Sequence, residues 1–224
     1  MMREYCKTAV IFFDRRFLFI GGAYAAFVVA VTAIAAVFAG KGVLAFIDHS
    51  FLAYAEAMQS EALTSVMSAI TALGSGAVVT GLSIIGIVWF LHRNEAMFAL
   101  ALFASVGGAA CVAAVMKRIL ERPRPSGFLA FQEHTFSFPS GHAALSLAFF
   151  GILVYFLLRH TQQLSLKICA VMAGIVAVGA IGVSRIYLGA HWPSDVLGSY
   201  VLVGAWLFIV IRQTERKIAE QLLK

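Results

Sequence analysis

The sequence predicts an all-α integral membrane protein: a six-transmembrane-helix bundle with an interfacial helical segment between spans one and two. Apolar residues make up 61% of the 224-residue chain and charged residues only 12%, and the mean hydropathy is +0.90. Soluble domains carry about 25% charged residues. The apolar residues also form long uncharged runs. The composition therefore excludes an ordinary soluble domain and a disordered chain, and we expect one membrane-embedded domain over residues 1–224.

The first apolar run, Phe17–Gly40, contains no charged residue over 24 positions. A helix of this length is long enough to cross a hydrocarbon core of about 30 Å. Arg15 and Arg16 precede the run, and Val37-Phe38-Ala39 at its end resembles a small-residue cleavage site, as in a cleaved signal peptide. The run is longer than the usual signal core of about 7–15 residues. We therefore predict a transmembrane helix here.

Five further apolar runs predict the other spans: Ala77–His92, Ala96–Met116, Gly141–Leu158, Leu166–Val183 and Ser194–Ile211. Between spans one and two, Lys41–Gly76 places four ionisable residues among apolar ones: Asp48, His49, Glu56 and Glu61. Because a segment this polar spans a membrane poorly, we expect it to lie as a helix at the membrane surface.

The cations predict the orientation of the bundle. Eleven of the 17 lysines and arginines lie before span one, after span six, or in the loops between spans two and three and between spans four and five. The positive-inside rule assigns that face, with both termini, to the cytoplasm. Five of the other six cations cluster in two short segments beside histidines on the opposite face. Topology alone does not require them there, which favours an anionic ligand over nucleic acid.

The first cluster, Lys117–Pro125, ends span three and holds four cations in eight residues: Lys117, Arg118, Arg122 and Arg124. Two prolines flank Arg124, and the residue before a proline favours extended backbone. Such a density of cations suits a polyanion. The alternative is a set of interfacial cations that extend toward the membrane surface, but these would be expected on the cytoplasmic side.

The second cluster, Phe138–His142, opens span four. Ser140 is a good N-cap residue, and Gly141 leaves room for a ligand at the free N–H groups of the helix start. The helix dipole also favours an anion there. The pattern therefore predicts a phosphate cradle with His142 on its rim, the alternative being a plain capped helix.

The third cluster, Ser184–Asp195, joins spans five and six. Pro193 suits the first position of a helix, which places Asp195 in the first turn, within reach of His191. A carboxylate bonded to one imidazole nitrogen fixes the tautomer and frees the other nitrogen as a nucleophile or base. The alternative is a structural His–Asp pair that secures the loop.

In chain order, the three clusters resemble the three-part signature of the type 2 phosphatidic acid phosphatase superfamily, in its bacterial membrane lipid phosphatase branch. The matching patterns are Lys117-x6-Arg124-Pro125, Pro139-Ser140-Gly141-His142 and Ser184-Arg185-x5-His191-x3-Asp195. The resemblance implies a six-helix membrane phosphatase that needs no metal or other cofactor, with its site on the extracytoplasmic face. It also implies a lipid phosphate or diphosphate as substrate.

The resemblance further implies a role for each matching residue. His191 would attack phosphorus and form a phosphohistidine, Asp195 would orient it, and His142 would protonate the leaving oxygen. The phosphoryl oxygens would be bound by Lys117, Arg124, Ser140, Gly141 and Arg185. Four residues outside the core motif are expected beside these groups or against the lipid headgroup: Arg118, Arg122, Tyr187 and Trp192.

Other functions can be weighed against this one. His142, His191 and Asp195 could form a two-histidine, one-carboxylate metal site, but five nearby cations would repel the ion. A transporter or flippase that only binds phosphorylated lipid would be expected to carry ionisable residues within its spans, and the predicted span interiors hold none. A soluble haloperoxidase of the same superfamily conflicts with the uncharged spans.

Three substrates remain open at this point: undecaprenyl diphosphate, phosphatidylglycerol phosphate and phosphatidic acid. The small size and single set of spans favour a bacterial inner-membrane protein. The sequence does not indicate an oligomeric state.

Overall fold

The computed structural model describes residues 12–38, 42–126 and 135–223. All regular structure in these ranges is helical, which confirms the predicted all-α class. The helices are α1 (Arg15–Phe38), α2 (Gly42–Ala57), α3 (Glu61–Leu73), α4 (Gly76–His92), α5 (Ala96–Leu120), α6 (Gly141–His160), α7 (Leu164–Tyr187) and α8 (Pro193–Leu222).

The described helices include four that are long and apolar enough to cross a membrane by themselves, namely α5, α6, α7 and α8. A fifth candidate is the pair α3 and α4, which passes only as one span bent by 41°. By itself α4 has 17 residues. The chain is thus a multi-pass membrane protein, whereas the count of six spans stays a prediction.

The region predicted as an interfacial helical segment, Lys41–Gly76, contains two helices in its described part, and its place at the membrane surface stays a prediction. A two-residue break with a bend of 41° separates the second of them, α3, from α4. The polar residues that suggested a surface location lie mostly on α2, where Asp48 is buried rather than solvated. A sequence pattern cannot show such burial, because the partners of Asp48 are distant in the chain.

The first predicted span is largely covered by the 24-residue helix α1, and residues 39–40 lie outside the described part. Tyr24 of α1 donates a hydrogen bond to the Leu202 carbonyl of α8 at 2.7 Å. Four of the cations used to predict the orientation also lie outside the described residues: Arg3, Lys7, Lys41 and Lys224.

Helix α6 lies at the centre of the bundle, packed against α4, α5, α7 and α8. Small side chains allow this close packing: Ala101 and Ala109 of α5 and Ala144 and Ala148 of α6 are fully buried. On α5, Gly108 leaves space that the Trp206 ring of α8 fills, and a Cβ there would clash with that ring. The packing brings the C-terminal ends of α5 and α7 to the N-terminal ends of α6 and α8.

The outer surface of the bundle is apolar. Helix α7 exposes Ile168, Met172, Ile175 and Val176, among others. A band of large exposed apolar side chains is costly in water and is expected where helices face lipid. The exposed side chains therefore agree with a membrane-embedded protein.

Candidate active site

The structure brings the three sequence clusters together at one end of the bundle. Ser137 donates its backbone N–H to the Arg122 carbonyl at 2.8 Å, which joins the first cluster to the second. Arg124 donates to the Ala190 carbonyl at 2.7 Å, which joins the first to the third. Ser199 donates to the Ser140 carbonyl at 3.2 Å and so ties the start of α6 to α8.

His191 lies in the turn between α7 and α8 with none of its surface exposed. Helix α7 ends at Tyr187, and Gly189 reverses the chain at φ +64°, a backbone conformation that glycine adopts freely. The backbone N–H of His191 then donates to the Arg185 carbonyl at 3.3 Å. The ring is held with Nε2 3.2 Å from the Arg124 guanidinium and Nδ1 3.6 Å from Asp195 Oδ2.

These surroundings keep the His191 ring neutral at pH 7. Burial lowers the pKa of His191 to about 4, because an imidazolium loses its hydration there. The cations Arg124 and Arg185 act in the same direction, and the opposing effect of Asp195 is smaller. A neutral imidazole whose Nδ1 faces a carboxylate has a lone pair on Nε2 for attack on an electrophile.

Asp195 occupies the first turn of α8, as the sequence predicts, and is fully buried. Oδ2 accepts the backbone N–H of Trp192 at 3.0 Å and the Ser137 hydroxyl. Oδ1 accepts from Arg122 at 2.5 Å. The 3.6 Å between Asp195 and His191 exceeds an ordinary hydrogen bond, so the two groups face each other at ion-pair distance.

The start of α6 has the geometry of a capped, open helix end. The Ser140 hydroxyl accepts the Ala143 N–H at 3.5 Å, and Ser140 is fully buried. A Cβ built on Gly141 would meet no atom within 4 Å, so the space over the first turn is free for a ligand. His142 follows in the same turn and is half-buried.

The remaining motif cations surround this end of the bundle. Lys117 donates to the Phe136 carbonyl, and Arg124 donates to the Thr135 carbonyl at 2.7 Å. Arg185 is only 1% exposed and donates to the Thr71 hydroxyl of α3 at 3.2 Å. Arg124 and Arg185 both act electrostatically on the His191 ring, an arrangement suited to a phosphoryl group.

The four residues expected near the motif have different contacts. Arg122 binds Asp195 directly, Trp192 donates its indole N–H to the Pro123 carbonyl at 3.0 Å, and the Tyr187 hydroxyl bonds the backbone N–H that starts α3. Arg118 is exposed on the last turn of α5 and makes no hydrogen bond or ion pair with the described residues.

Sequence reasoning missed Asp48 and Thr71, which α2 and α3 bring to this end. Asp48 accepts hydrogen bonds from Arg122 and Ser194. One signal was present: Asp48 is the one charged residue in the apolar stretch 42–55. Thr71 carried no such signal, because a threonine in an apolar helix is ordinary.

The described residues hold no group of three or more histidine, cysteine, aspartate or glutamate side chains that could bind a metal ion. The acidic groups near His191 are instead engaged with arginine and serine.

The sequence profile of the PAP2 superfamily matches residues 98–219, which include all three clusters. The chain belongs to the PAP2 superfamily. Among PAP2 relatives, the phosphatidylglycerophosphatase B of Bacillus subtilis is 36% identical over 161 residues, which cover 70% of this chain and 77% of the relative. The undecaprenyl-diphosphatase of Sulfolobus acidocaldarius is 29% identical over 124 residues, covering 49% and 53% of the two chains.

A solved PAP2 structure has the same fold. It is the crystal structure of a transmembrane PAP2-type phosphatidylglycerolphosphate phosphatase from Bacillus subtilis, with a TM-score of 0.74 and 29% identity. The match covers 85% of this chain and 95% of that one. Family, fold and these relatives identify the chain as a membrane-bound phosphatase.

Proposed function

We propose that this protein removes a phosphate from a lipid phosphomonoester or diphosphate through a phosphohistidine on His191, at the extracytoplasmic membrane face. One observation carries the proposal. A buried, neutral His191 holds Nε2 beside the Arg124 guanidinium and Nδ1 toward Asp195. A nucleophile thus lies next to a cation that can hold the phosphoryl oxygens.

In the first step, the lone pair of His191 Nε2 attacks phosphorus. The Nε2–P bond forms as the bond from phosphorus to the lipid oxygen breaks, and His142 gives its proton to that oxygen. In the second step, water attacks phosphorus while His142 takes a proton from it. The Nε2–P bond then breaks, releasing inorganic phosphate and regenerating both histidines.

The chain supplies the groups that stabilise the transferring phosphoryl group. Lys117, Arg124 and Arg185 provide positive charge, and Ser140 and the Gly141 N–H provide donors at the open start of α6. Phosphoryl transfer depends mainly on positioning and on such preorganised charge. We therefore propose that catalysis needs no metal ion.

The position of helix α2 supports a route by which the lipid substrate reaches the active site sideways from the membrane. Asp48 of α2 points into the site, while Val43 and Phe46 on the same helix are 74% and 73% exposed. An apolar helix face beside the site would let acyl or prenyl chains remain in lipid while the phosphate reaches His191. We further propose six spans in a bacterial inner membrane, with both termini cytoplasmic.

The relatives make phosphatidylglycerol phosphate the first substrate to test, followed by undecaprenyl diphosphate and phosphatidic acid. Purified protein in detergent and EDTA should release inorganic phosphate from at least one of them. His191→Ala should abolish that release, whereas His92→Ala, at an exposed position ending α4, should retain it.

A phosphoenzyme trapped by rapid quenching should be stable to alkali and labile to acid, as expected for a phosphorus–nitrogen bond, and absent from His191→Ala. Binding of all three lipids without phosphate release would contradict the proposal and favour a transporter. Full activity of His191→Ala would contradict the mechanism.

A further inference from the structure

Asp48 is a buried carboxylate that lies outside the three motif clusters. It is 2% exposed, and both of its oxygens are occupied. Oδ1 accepts the Ser194 backbone N–H at 2.9 Å, and Oδ2 accepts from the Ser194 hydroxyl at 2.6 Å and from Arg122 at 2.7 Å. A group with its acceptors engaged in this way acts through its neighbours rather than on a substrate.

Arg122 is the neighbour that connects Asp48 to the reaction. One terminal nitrogen of its guanidinium binds Asp48, and the other binds Asp195 at 2.5 Å. Two carboxylates therefore share one guanidinium, and the three groups together carry one excess negative charge. All three side chains are mostly buried, where water screens charge poorly.

We propose that Asp48 is a positioning residue that takes up part of the charge of Arg122, so that Asp195 keeps its negative charge directed at His191. The proposal rests on the phosphohistidine function above. Without the charge of Asp48, Arg122 and Asp195 would form a neutral pair with a weak field at the His191 ring. That field matters because the ring becomes positively charged when Nε2 bonds to phosphorus.

The other charges around His191 make this contribution necessary. Arg124, beyond the end of α5, and Arg185, on α7, both disfavour a positive ring. From α8, Asp195 is the carboxylate that faces the ring within the described part of the chain. Weakening Asp195 would reduce the stabilisation of the positive ring while Arg124 and Arg185 continue to disfavour it.

A purely structural role for Asp48 makes a different prediction. Asp48 also accepts a free N–H in the first turn of α8, where a negative charge is stabilising. If that were its whole function, adding Arg122→Gln to Asp48→Asn would lower kcat further. If the charge balance matters, neutralising Arg122 should instead restore the excess negative charge carried by Asp195.

The test compares wild type with Asp48→Asn, Arg122→Gln and the double variant. Asp48→Asn should lower kcat about tenfold, corresponding to a loss of about 1.4 kcal/mol of transition-state stabilisation, with little change in KM. The double variant should recover most of that loss. Glu56→Gln is the matched control, because Glu56 is an exposed carboxylate on the same helix; it should keep the wild-type kcat.

Two results would overturn the proposal: wild-type kcat in Asp48→Asn, or a double variant as slow as or slower than Asp48→Asn. A second readout needs no turnover. The ¹⁵N NMR shifts of the His191 ring, assigned by their loss in His191→Ala, should move in Asp48→Asn and return toward wild type in the double variant. Unmoved shifts also overturn the proposal.

The two readouts separate the two hypotheses. If wild type releases no phosphate from any lipid while the ring shifts respond as expected, the proposed function fails and the electrostatic link from Asp48 to His191 stands.

Discussion

The two ends of α8 each carry a network of ion pairs, and the network at the N-terminal end adjoins the buried His191 ring. Near the C-terminal end, Arg216 and Lys217 bind Asp14 at 2.6 and 2.8 Å, and Lys217 also binds Glu220 at 2.8 Å. Two cations there meet two carboxylates. This network, the tail network, joins the start of α1 to the end of α8 and has no excess charge.

At the N-terminal end, Arg122 binds both Asp48 and Asp195. Serines engage the same two carboxylates. Two further arginines, Arg124 and Arg185, act on the His191 ring, whose pKa both of them lower. The tail network thus joins helices, whereas residues of the same types at the other end of α8 act on a buried histidine.

The largest difference between the ends should come from matched aspartate substitutions. Asp195→Asn should lower kcat by about 10³-fold, because an amide neither holds the neutral ring in its reactive orientation nor stabilises its positive form. Asp14→Asn makes the same chemical change in the tail network and should leave kcat within about twofold. Phosphate release in detergent measures both, and equal losses would mean that the two ends are not separate in function.

A smaller effect is expected from matched arginine substitutions. Arg185→Lys keeps the charge but loses the planar donors, one of which binds Thr71 at 3.2 Å, and should lower kcat/KM about 10–100-fold. Arg216→Lys in the tail network should have little effect on kcat/KM. A wild-type kcat/KM in Arg185→Lys would show that positive charge alone suffices at this position.

The fold class and part of the active site could be predicted from the sequence, whereas the tail network could not. The all-α class followed from hydropathy, and the meeting of the three clusters followed from their places at the ends of successive spans. Asp195 was predictable in the first turn of α8 because Pro193 starts that helix. Such local signals sufficed wherever the residues lie close together in the chain.

Long-range partners could not be predicted in this way. Asp48 lies 74 residues from Arg122 and 146 from Ser194, and no local pattern relates them. The bend of 41° between α3 and α4 was likewise not predicted. The tail network had no motif, since Asp14 and Arg216 are 202 residues apart.

The pH dependence of activity tests how the buried, arginine-rich surroundings affect the protonation of His191. Because burial and the cations Arg124 and Arg185 lower the pKa of His191 to about 4, the ring stays neutral well below the ordinary histidine value of about 6.5. His191 should therefore contribute no acid limb to the kcat/KM profile near pH 6.5, and protonation of its ring should lower kcat/KM only toward about pH 4. A limb near pH 6.5 assigned to His191 would contradict this environment.

Folding must be followed in the same titration, for instance by circular dichroism. The His191 pKa is lower in the folded than in the unfolded state, so the unfolded chain binds the proton more readily. This contribution to stability is present above about pH 6.5 and declines as the pH falls toward about 4. A loss of activity that coincides with unfolding would therefore not report on the nucleophile.

The smallest effect is expected from the tail network, where Asp14→Asn should lower stability without changing kinetics. Burial raises the pKa of Asp14, but hydrogen bonds from Lys217, the Phe17 N–H and Arg216 outweigh it and hold that pKa below its ordinary value. The stabilisation is present above the ordinary pKa of an aspartate and is lost as the pH falls below it. Since the Asp14 side chain is 27% exposed, we expect a loss of about 0.5–1 kcal/mol.

Thermal unfolding in detergent at pH 7 and pH 3 measures this contribution. The destabilisation by Asp14→Asn should be clear at pH 7 and smaller at pH 3, where this aspartate is protonated in the unfolded chain but stays ionised in the folded protein. Gln213 of α8 still donates to the Phe12 carbonyl in the variant, so the segment before α1 should stay joined to the end of α8. A fall in kcat at pH 7 without unfolding would mean that the tail network acts on the site about 30 Å away along α8, and the separation of the two ends would fail.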